Sequence, residues 1–260
     1  MAELKIRREG TTGWITFSNL ERHNAMTYEM WSAMPAAIAG FDADPELRCI
    51  VLTGDGEKAF VSGADISEFE KRRGSVEASA EYNRASQAAA AALAGARLPT
   101  IARIRGICFG GGLGIALGCD LRIAADDSRF CVPAARLGLG YAYAGLKRLV
   151  DVVGPSYAAE IFATARRYNA AEALQMRLVN RVVPLAELDA AVAEYTGAIG
   201  DNAPLTVHAA LAVIDDIMKP ESERDIPAVS ALVDKCFASE DYKEGRRAFM
   251  EKRKPVFKGR

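Results

Sequence analysis

Histidine is almost missing from this chain: 260 residues carry two, His23 and His208. A zinc site built on imidazole would need both, with carboxylates or thiols, and no ligand spacing joins them. A serine triad could use only one of them, and no G-x-S-x-G elbow presents a serine. What remains is a histidine beside a turn at 23 and one on an amphipathic helix at 208. The cysteines Cys49, Cys108, Cys119, Cys131 and Cys236 form no C-x-x-C pair, and their odd number does not suit a complete disulfide framework. They read as buried, reduced thiols of a cytoplasmic protein. Neither sign of charge prevails, with 33 Lys and Arg against 34 Asp and Glu and a net charge of −1. That balance excludes a whole-domain basic footprint for nucleic acid. With 50% hydrophobic residues it also excludes general disorder. Long apolar runs are lacking as well. The longest uncharged stretch, Gly106 to Cys119, is glycine-rich and stops at Asp120, short of the roughly 18–20 residues a spanning helix needs. No membrane span is expected. Residues 1–10 bear five charges, at Glu3, Lys5, Arg7, Arg8 and Glu9, and read as no secretory signal.

What is present is enough chain for one large domain, or one domain with an appendage. Residues 4–8 and 14–17 alternate around Gly10 and Gly13 and predict a hairpin. Thr27 can cap a helix from Tyr28 to about Phe41. Cys49 to Thr53 is an apolar strand ending at Gly54, and Ala59 to Ile66 follows a Gly-Asp-Gly turn. An alanine-rich helix is predicted over 75–96, a strand over 100–104, an apolar helix after Gly110-Gly111-Gly112, and a strand over 121–125. Strand and helix alternate, so the class is α/β with crossover connections. Asn169-Ala-Ala-Glu172 is a capping box. The character changes after about Asn180: from Leu185 onward every pattern is helical, over 185–200, 204–219, 226–238 and 241–251. Residues 243–260 hold eight basic side chains against two acidic ones. That is either a solvated helix face or a patch sized for a few phosphates, not for a duplex.

Three glycine segments could carry chemistry. Gly110-Gly111-Gly112-Leu113-Gly114 fails the G-x-G-x-x-G fingerprint, with Ile115 or Leu117 at the last position. Gly140 to Gly145 has P-loop glycine spacing but places Leu146 where the phosphate-binding lysine belongs. Ser62-Gly63-Ala64-Asp65-Ile66 is a turn of small residues after a strand. Glycines at 110–112 allow close backbone approach, and the helix that follows aims unpaired N–H groups outward. With a second N–H from 62–64, two donors on one oxygen would make an oxyanion hole able to hold a thioester enolate. Packing alone also accounts for both turns.

The motifs Phe60-x-Ser-Gly-Ala-Asp-Ile66, Gly110-Gly111-Gly112, Cys119-Asp-Leu-Arg-Ile-Ala-Ala125 and Phe130-x-Val-Pro133, in that order, resemble the enoyl-CoA hydratase/isomerase (crotonase) family. Arg22-His-Asn-Ala-Met26 and the segment from Ser239 through Phe257 agree with it. The resemblance implies a spiral of repeated ββα units over residues 1–195 that binds acyl-CoA. It implies a helical region over 196–260 that builds a homotrimer or homohexamer. Coenzyme A would be part of the substrate, with no other cofactor and no metal. The family's oxyanion donors match the N–H groups of Ala64 and Gly111. The loop Ser62, Ala64, Asp65, Ile66 matches the segment along the adenine and pantetheine, and Arg22 a position near the CoA phosphates. Phe249 and Lys252 match tail residues that close over CoA, sometimes from a neighbouring subunit.

The chain departs from the family at the two glutamates that add water. Their positions hold Gly114 and Ala134, which can act neither as acid nor as base. An oxyanion hole without that pair suits a reaction that makes an enolate without removing a C–H proton. Decarboxylation of a malonyl-type thioester is such a reaction. Tyr141 falls where family members that decarboxylate methylmalonyl-CoA carry an active-site tyrosine. Those members also keep a glutamate after the glycine turn, and a histidine where this chain has Ala64, so the match is partial. Tyr141 is also readable as a pocket-lining aromatic. Arg136 is readable as a holder of a substrate carboxylate or as a surface arginine. Three readings stay open: a decarboxylase-like lyase; a hydratase or isomerase with its base at Asp65, Glu68 or Tyr143; and an acyl-CoA binder without catalysis.

Overall fold

The chain folds as strand, strand, helix, several times over. The computed structural model describes residues 2–68 and 76–260, with side chains from 79 onward in the second span. β1 (Glu3–Glu9) and β2 (Thr12–Ser18) form the antiparallel hairpin, with Ile6 opposite Ile15. Helix α1 (Tyr28–Asp42) begins where Thr27 Oγ1 accepts the Met30 N–H at 3.3 Å. Then come β3 (Cys49–Gly54), β4 (Ala59–Val61) and α2 (Val76–Ala94). The predicted start of that helix at residue 75 lies outside the described residues. The next unit is β5 (Thr100–Ile104), β6 (Ile107–Phe109) and α3 (Gly111–Gly118). The third is β7 (Leu121–Ala125), β8 (Arg129–Cys131) and α4 (Tyr143–Thr164).

From β3 onward each unit sends its first strand to one sheet and its second to another, whereas β1 and β2 share the larger sheet. The larger sheet runs β1-β2-β3-β5-β7-β10 and the smaller β4-β6-β8-β9, where β9 is Tyr168–Asn169 and β10 is Arg181–Val183. Strands β2, β3, β5, β7 and β10 are mutually parallel. This stepwise advance is the ββα spiral of an α/β fold. Strands β3, β5 and β7 read as unbroken apolar runs because both faces are covered. Ile50, Leu52, Ala102 and Ala124 enter the main core. Val51, Ile101 and Ile123 pack on the opposite side under helix α6 (Leu188–Asp201), through Leu188, Ala191 and Val192. Tyr195 and Ile199 of α6 lie partly buried there too, so a division at 195/196 falls inside this helix.

The sequence reading passed over helix α4, and the reason is local. Its backbone is non-helical at Gly154, and Pro155 follows, so one periodic stretch becomes two short ones. Strand β10 interrupts the otherwise helical run after Asn180. The capping box opens α5 (Ala170–Gln175): Asn169 Oδ1 accepts the Glu172 N–H at 2.9 Å and Glu172 Oε2 accepts the Asn169 N–H at 2.8 Å. Helices α7 (Pro204–Ile217), α8 (Ile226–Ala238) and α9 (Glu240–Met250) complete the chain. On α7, Leu205, Val207 and Leu211 are half-buried, whereas Ile214 and Ile217 stand exposed. Among the described residues, no helix is long and apolar enough to cross a membrane.

Candidate active site

Strands β4 and β6 lie side by side in parallel, with Val61 beside Cys108, so the loops leaving them emerge together. Gly63 takes φ 121° and Gly110 φ 49°, conformations that a Cβ would strain. Both loops are pinned. The Met26 N–H donates to Gly63 O at 2.8 Å, the Asp65 N–H to Met26 O at 2.9 Å, and the Gly110 N–H to Cys131 O at 2.8 Å. A Cβ placed on Gly111 would lie 3.8 Å from Ala64 N, and one on Gly63 would lie 4.0 Å from Gly111 N. The two N–H groups are therefore neighbours. Neither donates to a protein acceptor among the described residues. Gly111 is also the first residue of α3, whose dipole adds positive potential there. Gly112 serves packing instead. A Cβ there would meet Val61 O at 2.2 Å, so only glycine lets α3 pack against β4.

The two positions that hold glutamates in water-adding family members differ in surroundings. Gly114 is exposed on α3, and nothing lies within 4 Å of a Cβ built on it. Ala134, in the single helical turn 133–137, is 3% exposed and packs in the core. Neither carries an ionisable group.

Arg22 and the 62–66 loop form one stapled unit. Ser62 Oγ donates to Arg22 O at 2.9 Å, and the Ser62 N–H to His23 O at 3.1 Å. The Asp65 carboxylate turns inward, 5% exposed. It accepts the Ser67 N–H at 3.0 Å and hydroxyl at 2.7 Å, and pairs with Arg22 Nη1 at 3.4 Å. Asp65 therefore holds the loop's shape, while the Ile66 side chain is left exposed. Glu68 Oε2 accepts the Tyr28 N–H at 2.9 Å at the start of α1. Both carboxylates weighed as bases are thus engaged in holding backbone. Tyr143 is exposed at the start of α4.

The Tyr141 ring meets Phe162 of α4 edge-on, with centroids 4.9 Å apart at 79°. It lies in an exposed segment, 135–145, that also holds Arg136. Sequence reasoning missed Arg167. Its guanidinium lies 5.5 Å from the Phe109 ring centroid. Phe109 pairs with Cys131 across the smaller sheet, and Phe130 with Tyr168. Burial pushes the Cys131 thiol pKa up, and the charges of Arg136 and Arg167 oppose it, which puts both cations near the end of β8. The clue lay in the doublet Arg166-Arg167. Arg166 is consumed by Glu160 at 2.9 Å and Glu172 at 2.6 Å, whereas Arg167 has no such acid among the described residues. Four of the five thiols are buried as expected, whereas Cys236 is only half-buried; burial raises the pKa of Cys108 and Cys119, the latter to about 12.

Phe249, 83% exposed, and Lys252, in a left-handed turn just after α9, make no hydrogen bond or ion pair with the 62–66 loop among the described residues.

The sequence model described as Enoyl-CoA hydratase/isomerase matches residues 7–260. The short-chain-enoyl-CoA hydratase of Clostridium acetobutylicum is 34% identical over 249 residues, covering 96% of this chain and 95% of that protein. The carnitinyl-CoA dehydratase of Salmonella typhi is 34% identical over 265 residues, covering 99% and 98%. Among solved structures, an enoyl-CoA hydratase/carnithine racemase from Magnetospirillum magneticum superposes with a TM-score of 0.92 at 36% identity, covering 99% of this chain and 96% of that one.

Proposed function

The chain belongs to the enoyl-CoA hydratase/isomerase family, and from that premise we propose that it holds an acyl-CoA thioester with the carbonyl oxygen between the N–H groups of Ala64 and Gly111. The enolate formed there is stabilised by these preorganised donors. The observation that carries the reading is the adjacency of two donors with no protein acceptor among the described residues. Arg22 and the 62–66 loop lie along the CoA. Phe249 and Lys252 reach the CoA of a neighbouring subunit, which fits their exposure here.

The reaction in this proposal is decarboxylation of a malonyl-type thioester. The bond from C2 to the free carboxylate breaks, CO₂ leaves, and the electron pair becomes the enolate. A weak acid then returns a proton to C2. No carboxylate at 114 or 134 is needed, and Arg136 and Arg167 are the cations available to orient the leaving carboxylate. Tyr141 serves as proton donor or orienter through its hydroxyl. Tyr141→Phe keeps the ring packing on Phe162 and removes only the hydroxyl. The expected loss falls on kcat more than on substrate binding. An unchanged kcat in steady-state kinetics counts against the role. The names of the relatives favour a second reading, addition or removal of water with a base from elsewhere. Three assays separate the readings: CO₂ release from methylmalonyl-CoA, water addition to crotonyl-CoA, and deuterium exchange at C2 of a saturated acyl-CoA. Silence in all three returns the protein to a non-catalytic binder.

Residues 196–260 form the assembly region in this proposal. Ile214, Ile217, Met218, Ile226 and Phe237 are exposed on α7 to α8 and the connection between them, apolar surface that association covers. Light scattering is expected to report a trimer or a dimer of trimers. A stable monomer at micromolar concentration overturns this.

A further inference from the structure

A cavity opens where β3 and β5 begin, whereas the paired N–H groups lie where β4 and β6 end. Its volume is about 360 Å³, within the usual range of small-ligand sites. Its walls come from distant parts of the chain: Asp42 at the end of α1, Arg48 just before β3, Arg97 ahead of β5, His208 on α7, Lys235 on α8, and Lys258 in the tail.

Four cations line this space against one carboxylate, and that carboxylate is already used. Asp42 accepts the Arg97 N–H at 2.9 Å and the Leu98 N–H at 3.0 Å. The two arginines are fixed by backbone carbonyls. Arg97 donates from Nε and Nη2 to Asp42 O, at 3.1 and 2.7 Å. Arg48 donates from Nη1 to the carbonyls of Pro45 and Leu47, at 2.8 and 3.2 Å. Among the described residues each guanidinium keeps further N–H donors uncommitted, in a fork suited to phosphate oxygens. Lys235 and Lys258 place no Nζ on an acceptor among the described residues. His208 is half-buried, and burial first, then the Arg97 charge, lowers its pKa while Asp42 opposes. A neutral imidazole adds one N–H donor without more repulsion. Four cations against one carboxylate leave a net repulsion, and a bound polyanion relieves it.

We propose that this cavity is a binding site for a diphosphate-bearing ligand, separate from the thioester site. Arg48 and Arg97 form its rigid floor, and Lys235 from α8 and Lys258 from the tail are flexible arms that close over it. The diphosphate can belong to a nucleotide or to free pyrophosphate.

The test is calorimetric titration of the full-length protein, in its native assembly, with pyrophosphate, ADP and sodium sulfate. Wild type is expected to bind pyrophosphate at least about tenfold more tightly than sulfate, with affinity falling steeply as salt rises. The double variant Lys235→Ala, Lys258→Ala changes two exposed side chains, and its circular dichroism should stay native. It is expected to lose about tenfold or more in pyrophosphate affinity. Arg22→Ala, at the thioester site, should leave that affinity unchanged. Equal affinities for pyrophosphate and ADP mean that only the diphosphate is read, and tighter ADP means the nucleoside is seated as well. Undiminished binding in the lysine variant, loss in Arg22→Ala, or no preference over sulfate overturns the proposal. None of these outcomes depends on which acyl-CoA reaction the protein performs.

Discussion

Replacing Gly111 by proline is expected to lower turnover about 10²–10³-fold, or about 3 kcal/mol, the usual cost of one lost oxyanion donor. Position 111 suits the experiment unusually well. It is the first residue of α3, where proline is tolerated because its missing N–H is not part of the helix ladder. The substitution removes the donor and sets the ring Cδ where the N–H pointed. The control is Gly111→Ala, which keeps the N–H and adds a methyl 3.3 Å from Trp31 Cζ2. If the donor matters, proline should cost far more than alanine, with native circular dichroism in both. A folded proline variant that turns over like wild type removes Gly111 from the site. Gly112→Ala makes a further contrast. Its methyl would collide with Val61 O, so damage there reports on folding and not on chemistry.

Crotonyl-CoA hydration is expected at least about 10³-fold below that of a two-glutamate relative, because acid and base are both absent and each contributes roughly 10²–10⁴-fold. The surroundings of the two positions sharpen this. Gly114→Glu should fold as well as wild type, since it enters open space on a helix and glutamate is the better helix former. Ala134→Glu should destabilise, since it forces a larger, charged side chain into a position that is 3% exposed and packed in the core. Thermal melts of the two variants check that pair. A wild-type hydration rate typical of the family would mean that another group supplies the missing proton transfer, and would move the lead to the second reading.

Much of the fold was legible because it is written in local chemistry. Thr27 binds the backbone three residues on, and Asn169 and Glu172 satisfy each other's N–H groups. The apolar runs of β3, β5 and β7 state that both their faces are covered. The helices after Leu185 follow helical periods, and the structure places their ends within three residues of the predicted spans. Strands β4, β6 and β8 are three residues each, too short for a period to show.

Residue order alone carried the α/β class and the pair of small-residue turns, and the resemblance to the family then marked 114 and 134 as the places of two absent glutamates, because each is a matter of which side chain stands at which place along the chain. The closeness of Ala64 N to Gly111 N is of another kind, since β4 and β6 must pair before the two loops meet. Asp65 and Glu68 read as free carboxylates until the folded backbone brought Ser67 and Tyr28 N–H groups to them. Arg167 reaches Phe109 only through two strand pairings. The basic cavity draws on residues from 42 to 259, and no window of sequence contains it. Contacts within a few residues cost little chain entropy and leave a mark in composition and spacing. Contacts between distant residues exist only once packing has closed the loops between them.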